Sequence, residues 1–160
     1  MANNFMKAML IHIGTNLWYE KGNERGGGGE VWKCPASDDM RFDINLFREY
    51  TEHCRECGIN TLVLDLADGI VYESHPEIAI NGSLTRAELV RELDRLWGMG
   101  FEVIPKLNFS TCHDYWLKDY ARMVSTKTYY DVCRDIIEEV CEVFKPKYLH
   151  IGYDEEDYAI

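Results

Sequence analysis

Four short apolar runs set apart by stretches of helical period constrain this chain more than any other feature of it. The runs are "KAMLIHIG" (7–14), "NTLVLDL" (60–66), "FEVIPKL" (101–107) and "KYLHIG" (147–152). Near-continuous apolar segments of this length read as strands of a parallel sheet, covered on both faces. Between them the spacing turns helical. A first helix is expected to open at Asp43, carry Ile44, Phe47, Cys54 and Cys57 on or near one stripe, and end at Gly58. A second opens on a capping box, Thr85 with Glu88, buries Leu89, Val90, Leu93, Leu96 and Trp97, and stops at the glycines 98 and 100. A third starts near Thr128, turns Cys133, Ile136, Ile137, Val140 and Phe144 inward, and is closed by Pro146. The expected order is βαβαβαβ.

Loop lengths then show where the elaboration lies. Helix-to-strand links are minimal, "GIN", "GMG" and "KPK", whereas the links leaving the strands run over 15–42, 67–84 and 108–127. In parallel α/β folds the C-terminal strand ends carry the site, so the long links all belong to that face. A doubly wound sheet would favour a tight glycine-rich turn directly after the first strand. The "GGGG" at 26–29 stands well past it and lacks the lysine and hydroxyl residue of a phosphate loop. The pattern therefore favours a (β/α)8 barrel. Such a barrel needs about 250 residues, so the expectation is a single domain over 1–160 holding only the first four β/α units. That is a half barrel, a fragment of a longer protein or a chain whose exposed sheet edges self-associate with another copy.

Composition narrows the partners. Seventeen lysines and arginines against 28 aspartates and glutamates leave a net charge of −11, with no basic run to offset it, so nucleic acid and anionic membrane surfaces are disfavoured. The N-terminal apolar stretch lacks the h-region and cleavage site of a secretory signal, and no segment has the length of a membrane span, so a cytoplasmic location is expected. The six cysteines include a C-x-x-C pair, Cys54 and Cys57, but it lies in a helical pattern and has no second pair at zinc-site spacing. They read as reduced thiols, several of them on apolar helical faces. Neither a metal nor a cofactor is expected.

The last apolar run leads through Gly152 and Tyr153 into four carboxylates, Asp154, Glu155, Glu156 and Asp157. Adjacent acids at a water-poor strand tip repel one another, so one tends to hold its proton near neutral pH while the other stays charged. That division suits a general acid beside an electrostatic partner. On spacing alone, a solvated acidic turn accounts for the cluster equally well.

The segment "LHIGYDEE" (149–156) resembles the H-x-G-x-D-E signature of glycoside hydrolase family 20, the β-N-acetylhexosaminidases, and of family-20-like glycosidases. Residues 68–107, with a Ser-x-Pro-Glu stretch, a Gly-x-x-Thr helix start and a Val-Ile-Pro third strand, resemble the same family. The likeness runs over roughly 60–156; the first 59 residues match only as a generic β/α unit. The resemblance implies a hydrolase of β-linked sugars, N-acetylhexosaminides above all. Glu155 would be the general acid, and Asp154 would orient the substrate's own 2-acetamido group as it attacks the anomeric carbon. It implies no role for Glu156 or Asp157. The sequence departs from the family at Tyr153, where a second glycine is common. It departs again at Pro105-Lys106-Leu107-Asn108, where an acidic pair is usual, with His113 one place late. No arginine follows the first strand; Asn16 and Trp18 stand there instead. These changes place it on an outlying branch, and they leave open a non-catalytic carbohydrate-binding relative or an inactive barrel fragment.

Several other residues fall on the active-face links. Trp18, Trp116, His113 and Asn108 could stack on or hydrogen-bond a sugar, and Trp116 could equally anchor its own loop. His113, with Asp114 beside it, just past a strand end, reads as functional. Lys106, inside a buried strand, needs an anionic partner, and Asp65 or Asp154 could supply one. His12 and His150 read as core histidines. Asp68 with Gly69 is a plausible turn, to which the resemblance gives a substrate-facing position.

Overall fold

A computed structural model describes residues 5–17 and 36–153. Three strands, β1 (Ala8–His12), β2 (Thr61–Asp65) and β3 (Glu102–Lys106), pair in parallel in the order β1-β2-β3. Three helices, α1 (Ile44–Glu56), α2 (Arg86–Gly98) and α3 (Lys127–Phe144), follow them in alternation. Each helix starts where its cap dictates. The Asp43 carboxylate accepts from the backbone N–H groups of Asn45 and Leu46, and the Thr85–Glu88 pair forms a complete capping box. Thr126 accepts from the Tyr129 N–H, and Lys145 in a left-handed conformation closes α3 just before Pro146.

Register is what turns this sheet into a platform. Leu62 lies between Met9 and Val103, Leu64 between Ile11 and Pro105, and Asp65 between His12 and Lys106. Successive side chains alternate between faces. One face is therefore Met9, Ile11, Leu62, Leu64, Val103 and Pro105, and the other is Leu10, His12, Val63, Asp65, Ile104 and Lys106. Right-handed crossovers joining neighbours in sequential order put α1 and α2 on the same side of the sheet. Burial agrees: Leu62, Leu64, Leu66, Val103 and Leu107 share the core with Phe47, Leu89, Leu93, Leu96, Ile136 and Val140.

β2 and β3 are buried on both faces apart from the half-buried Val63 and Glu102, and the expectation of strands buried on both sides fails at β1. β1 is exposed at every second residue, with Leu10 45% exposed, because β1 is an edge strand of the three. The fourth apolar run also forms no strand. It contributes one parallel bridge, His150 with Lys106, and a ladder of hydrogen bonds: Leu107 N–H to His150 O (2.8 Å), His150 N–H to Pro105 O (3.0 Å) and Phe109 N–H to Ile151 O (3.3 Å). Tyr148 and Ile151 remain exposed, so this run pairs with the upper end of β3 without being buried by it. Val90 and Trp97, expected inside, lie at the edges of the α2 stripe and are exposed.

Between α1 and α2 lies a buried carboxylate. Glu92 accepts from Arg48 Nε (3.0 Å), from the Arg48 terminal guanidinium nitrogen, and from Arg95 Nε (2.9 Å), and Arg95 also donates to the Thr51 hydroxyl (2.9 Å). Desolvation pushes the Glu92 carboxyl upward, but the two guanidinium groups outweigh it and hold it below its ordinary value of 4.5. A depressed carboxyl stabilises the fold above its unfolded-state value, and that contribution is lost as pH falls through the folded-state value. Glu92→Gln should therefore lower stability at pH 7 by about 1–2 kcal/mol. In chemical denaturation series the gap to the unsubstituted protein should close as the pH is taken below 4.5.

Candidate functional site at the carboxyl ends of the strands

The alternation that buries Leu62 and Leu64 puts three polar residues side by side at the carboxyl ends of the strands, on the face away from the helices. At their centre is Asp65, with no exposed surface. Its Oδ2 accepts from His12 Nδ1 (2.9 Å) and Lys106 Nζ (3.2 Å), and its Oδ1 accepts from Asn108 Nδ2 (2.6 Å). Lys106 Nζ also donates to Asn108 Oδ1. A buried ammonium and a buried carboxylate thus neutralise each other, with a carboxamide satisfying both, the condition under which such a pair is tolerated. Lys106 and Asn108 are buried as well, while the His12 side chain is 39% exposed. Of the two partners the sequence offered Lys106, Asp65 is the one observed among the described residues; Asp154 lies outside them.

The fourth run meets this cluster through a glycine that nothing else can replace. Gly152 has φ +65°, and a Cβ there would overlap the Leu107 carbonyl oxygen and come within 2.9 Å of Asn108 Cα. The backbone is therefore pressed onto the end of β3, with Ser110 N–H bonded to Gly152 O (3.2 Å) and Gly152 N–H to His150 Nδ1 (3.1 Å). The H-x-G part of the motif thus has a local physical cause. The imidazole caps the turn, and the absent side chain lets the chain cross over β3 next to Asn108. Tyr153, the last described residue, is exposed at that crossing.

The remaining loops knit into one rim. Asp68, fully buried, accepts the Leu17 N–H at 2.6 Å and the Asn16 N–H at 3.4 Å, so its carboxylate holds the loop after β1. Burial raises its pKa, while those hydrogen bonds pull the other way. Met40 N–H donates to Asn81 O (2.9 Å) and Asn81 N–H to Asp38 O (2.8 Å), joining the loops after β1 and β2. Lys118 donates to the carbonyls of Glu77 (2.7 Å) and Ala79 (2.6 Å), and the Tyr120 hydroxyl donates to Glu77 (2.7 Å), joining the loops after β2 and β3.

Sequence-based candidates divide accordingly. Lys106 and Asn108 come together with Asp65. Trp116 is 1% exposed, donates its indole N–H to Asn108 O (2.7 Å) and lies against Phe109 and Tyr72, which is the packing of a loop anchor. Asp68 stands beneath the rim. His113 is half-buried, its N–H bonded to Ser110 O (3.0 Å), and the neighbouring Asp114 accepts the Arg122 N–H (2.6 Å). Asp154, Glu155 and Trp18, like the glycine run at 26–29, lie outside the described residues. His12 and His150, read from sequence as core, are exposed. The sequence reading missed His12 as a member of the cluster and offered Asp65 only as a partner for Lys106. Their signal was the period of two: each is the polar member of an alternating pattern whose other half is Met9, Ile11 and Ile13, or Leu62, Leu64 and Leu66. Among the described residues, no group of three or more His, Cys, Asp or Glu side chains could hold a metal ion, and no helix is long and apolar enough to cross a membrane.

The class these features define is an α/β fold with a parallel sheet and a polar cluster at its carboxyl end. Solved structures give that class a closer likeness. The chain superposes on a glycoside hydrolase family 20 β-N-acetylglucosaminidase with a TM-score of 0.62 at 17% identity, covering 74% of this chain and 35% of that one. It superposes on a mutant Streptomyces plicatus β-hexosaminidase, solved in complex with its product GlcNAc, with a TM-score of 0.61 at 21% identity, covering 72% of this chain and 30% of that one. The chain thus shares the fold of part of these family 20 enzymes and spans about a third of their length. No protein-family profile and no curated protein matches it.

The packing of Gly152 gives a direct test. Gly152→Ala should destabilise the protein by more than about 2 kcal/mol, since the added methyl meets backbone and the conformation is left-handed. Gly98→Ala, at the end of α2 with nothing within 4 Å of a Cβ, should be neutral or stabilising by up to about 1 kcal/mol. Denaturant unfolding of the two variants provides the comparison.

Proposed function

We propose that this chain is part of a (β/α)8 glycoside hydrolase of the family 20 type, acting on β-linked sugars, N-acetylhexosaminides foremost. One observation carries the proposal: the H-x-G turn brings Gly152 against Leu107 and Asn108 at the carboxyl end of the sheet, and Asn108 bonds directly to Asp65. The Asp-Glu pair of the resemblance follows Tyr153 in sequence. The fold shared with family 20 enzymes supports the same reading. In it, the face of the sheet away from the helices is the inner wall of a barrel, which further β/α units would close.

The proposed reaction is substrate-assisted. The carbonyl oxygen of the sugar's 2-acetamido group attacks the anomeric carbon as the glycosidic C–O bond breaks. Glu155 gives its proton to the departing oxygen, and Asp154 orients the acetamido group and stabilises the charge it gains. Water then attacks the anomeric carbon as its bond to the acetamido oxygen breaks, passing its proton to Glu155, so the acetamido group is regenerated and configuration is retained. Lys106, Asn108, His113 and Tyr153 are proposed to shape the pocket, and Trp18 to stack on the sugar. Asp68 and Trp116 would act from below by fixing the loops that bear it.

A second reading has its own support. Asn108, standing where the resemblance has an acidic residue, spends both ends of its carboxamide on Asp65 and Lys106. A relative that binds carbohydrate without hydrolysing it fits that engagement. Assay of the intact protein on aryl β-glycosides separates the two. The hydrolase reading expects release of the aryl group from a β-N-acetylhexosaminide and a loss of about 100-fold or more in kcat for Glu155→Gln. Unchanged turnover in that variant would remove Glu155 from its role. Calorimetric sugar binding with no turnover in the unsubstituted protein would favour the binding relative.

A further inference from the structure

The two thiols of the C-x-x-C motif in α1 do not face each other's surroundings. Cys54 is 4% exposed and packs into the core, whereas Cys57, three residues on, is exposed. Its thiol meets a histidine instead. Cys57 Sγ lies 3.8 Å from Nε2 of His53, which is exposed one turn earlier on the same face of the helix. The backbone holds the two side chains there. The Cys57 N–H donates to His53 O at 3.0 Å, and the chain turns away only afterwards, with Gly58 N–H on Arg55 O and Ile59 N–H on Cys54 O, both at 3.0 Å. The other ring nitrogen of His53, Nδ1, lies 3.4 Å from the Glu56 carboxylate. A carboxylate beside one nitrogen of an imidazole orients the ring so that the second nitrogen can serve as a ligand.

We propose that His53 Nε2 and Cys57 Sγ chelate a zinc-type divalent cation at the surface of α1, with water in its remaining positions. Tetrahedral zinc, with Zn–N of about 2.0 Å and Zn–S of about 2.3 Å, sets two such donors about 3.6 Å apart. The observed separation of 3.8 Å is close to that spacing, so a cation enters between them with little rotation of either side chain. The donor types select the metal: a thiolate and an imidazole suit zinc, with cobalt(II) as its spectroscopic stand-in, whereas magnesium and calcium take oxygen ligands. Coordination breaks the S–H bond, passes its proton to buffer and forms the S–metal bond in its place. The site has two protein donors, fewer than the groups of three or more that the described residues lack, and it is therefore open and exchangeable in character. A formal charge of −11 on the chain favours the approach of a cation. The pair lies at the end of α1 that leads into β2, away from the rim at the carboxyl ends of the strands, and the proposal is independent of the glycosidase reading.

Titration of the intact protein with cobalt(II), in the presence of a non-chelating reductant, tests the site. The expected result is a saturable thiolate-to-cobalt charge-transfer absorption in the near ultraviolet, with an affinity that rises with pH as the thiol proton is given up. Zinc should displace the cobalt and abolish the band, and magnesium in about 100-fold excess should leave it unchanged. Cys57→Ser should remove the band. His53→Ala and His53→Gln should each weaken cobalt binding by about 10-fold or more. Both side chains are exposed, so all three variants should keep the unfolding midpoint of the unsubstituted protein. A band that survives Cys57→Ser puts the metal on another thiol, and full affinity in both His53 variants reduces the site to a single sulfur; either result overturns the proposal. Absence of the band in the unsubstituted protein overturns it as well, and leaves His53 and Cys57 as an ordinary side-chain contact across one helical turn.

Discussion

A single buried carboxylate ties the sheet together. Asp65 receives hydrogen bonds from β1 through His12, from β3 through Lys106 and from the segment after β3 through Asn108. Removing a carboxylate and an ammonium from water is costly, and the cost is offset only when both are fully bonded. The cluster therefore tolerates one register. A slip of one residue in either neighbouring strand would turn His12 or Lys106 toward the helices and leave Asp65 short of a partner, at the same time bringing Leu10 or Ile104 to the wrong face. Hydrophobic alternation alone would favour this register; the charge pair penalises the others.

Everything at the rim is built outward from that row. Beyond the strands, Ile13 and Gly14 donate to the Asp65 carbonyl at 2.8 and 3.2 Å, and Leu66 donates to the Lys106 carbonyl at 3.0 Å, so the ladder continues past the last paired residues. Gly14 and Gly69 then approach so closely that a Cβ on either would meet the other's backbone nitrogen. This contact sets the exits of β1 and β2 side by side, and it places the Asp68 carboxylate where it can hold the Leu17 amide. On the other flank Gly152 performs the same service against Leu107 and Asn108. Two points of backbone-to-backbone contact, one on each side of Asp65, thus fix where the loops leave the sheet.

The features legible in the sequence were those with local causes. Asp43, Thr85 with Glu88, and the residues around Pro146 mark helix ends because the bonds they make lie within four residues of them. Three strand positions were legible from apolar runs, while the fourth run pairs only through a single bridge at His150, and the likeness to family 20 was legible from the short H-x-G-x-D-E segment. Burial was less so. An apolar run predicts a strand but not what lies on each side of it, so Leu10 and Ile151, as apolar as Leu62, are exposed. The same gap made His12 look like a core residue: its neighbours Ile11 and Ile13 are apolar, but they point to the other face. For Trp116 the sequence left stacking on a sugar and anchoring its own loop equally open, and its surroundings decide between them. An aromatic residue on an active-face loop invites a role in stacking, yet its indole N–H finds a carbonyl 2.7 Å away inside the protein, and a buried tryptophan whose one donor is satisfied has no reason to face a ligand.

Charge balance makes this end of the sheet compatible with the neutral ligand proposed for it. Lys106 is the one buried cation among the described residues at the strand ends, and Asp65 cancels it at 3.2 Å. The row therefore offers a ligand no net charge, only oriented hydrogen-bonding groups. A phosphorylated or carboxylated ligand would find no uncompensated cation in that row and would enter a protein whose formal charge is already −11. A neutral polyol faces neither obstacle. Its hydroxyls exchange bonds with water for bonds with groups already held in place, so the desolvation of each is matched by a partner that need not reorganise. The carboxylate that fixes the strand register is thus also what keeps the strand ends electrically quiet, and both follow from placing aspartate and lysine opposite each other on neighbouring strands.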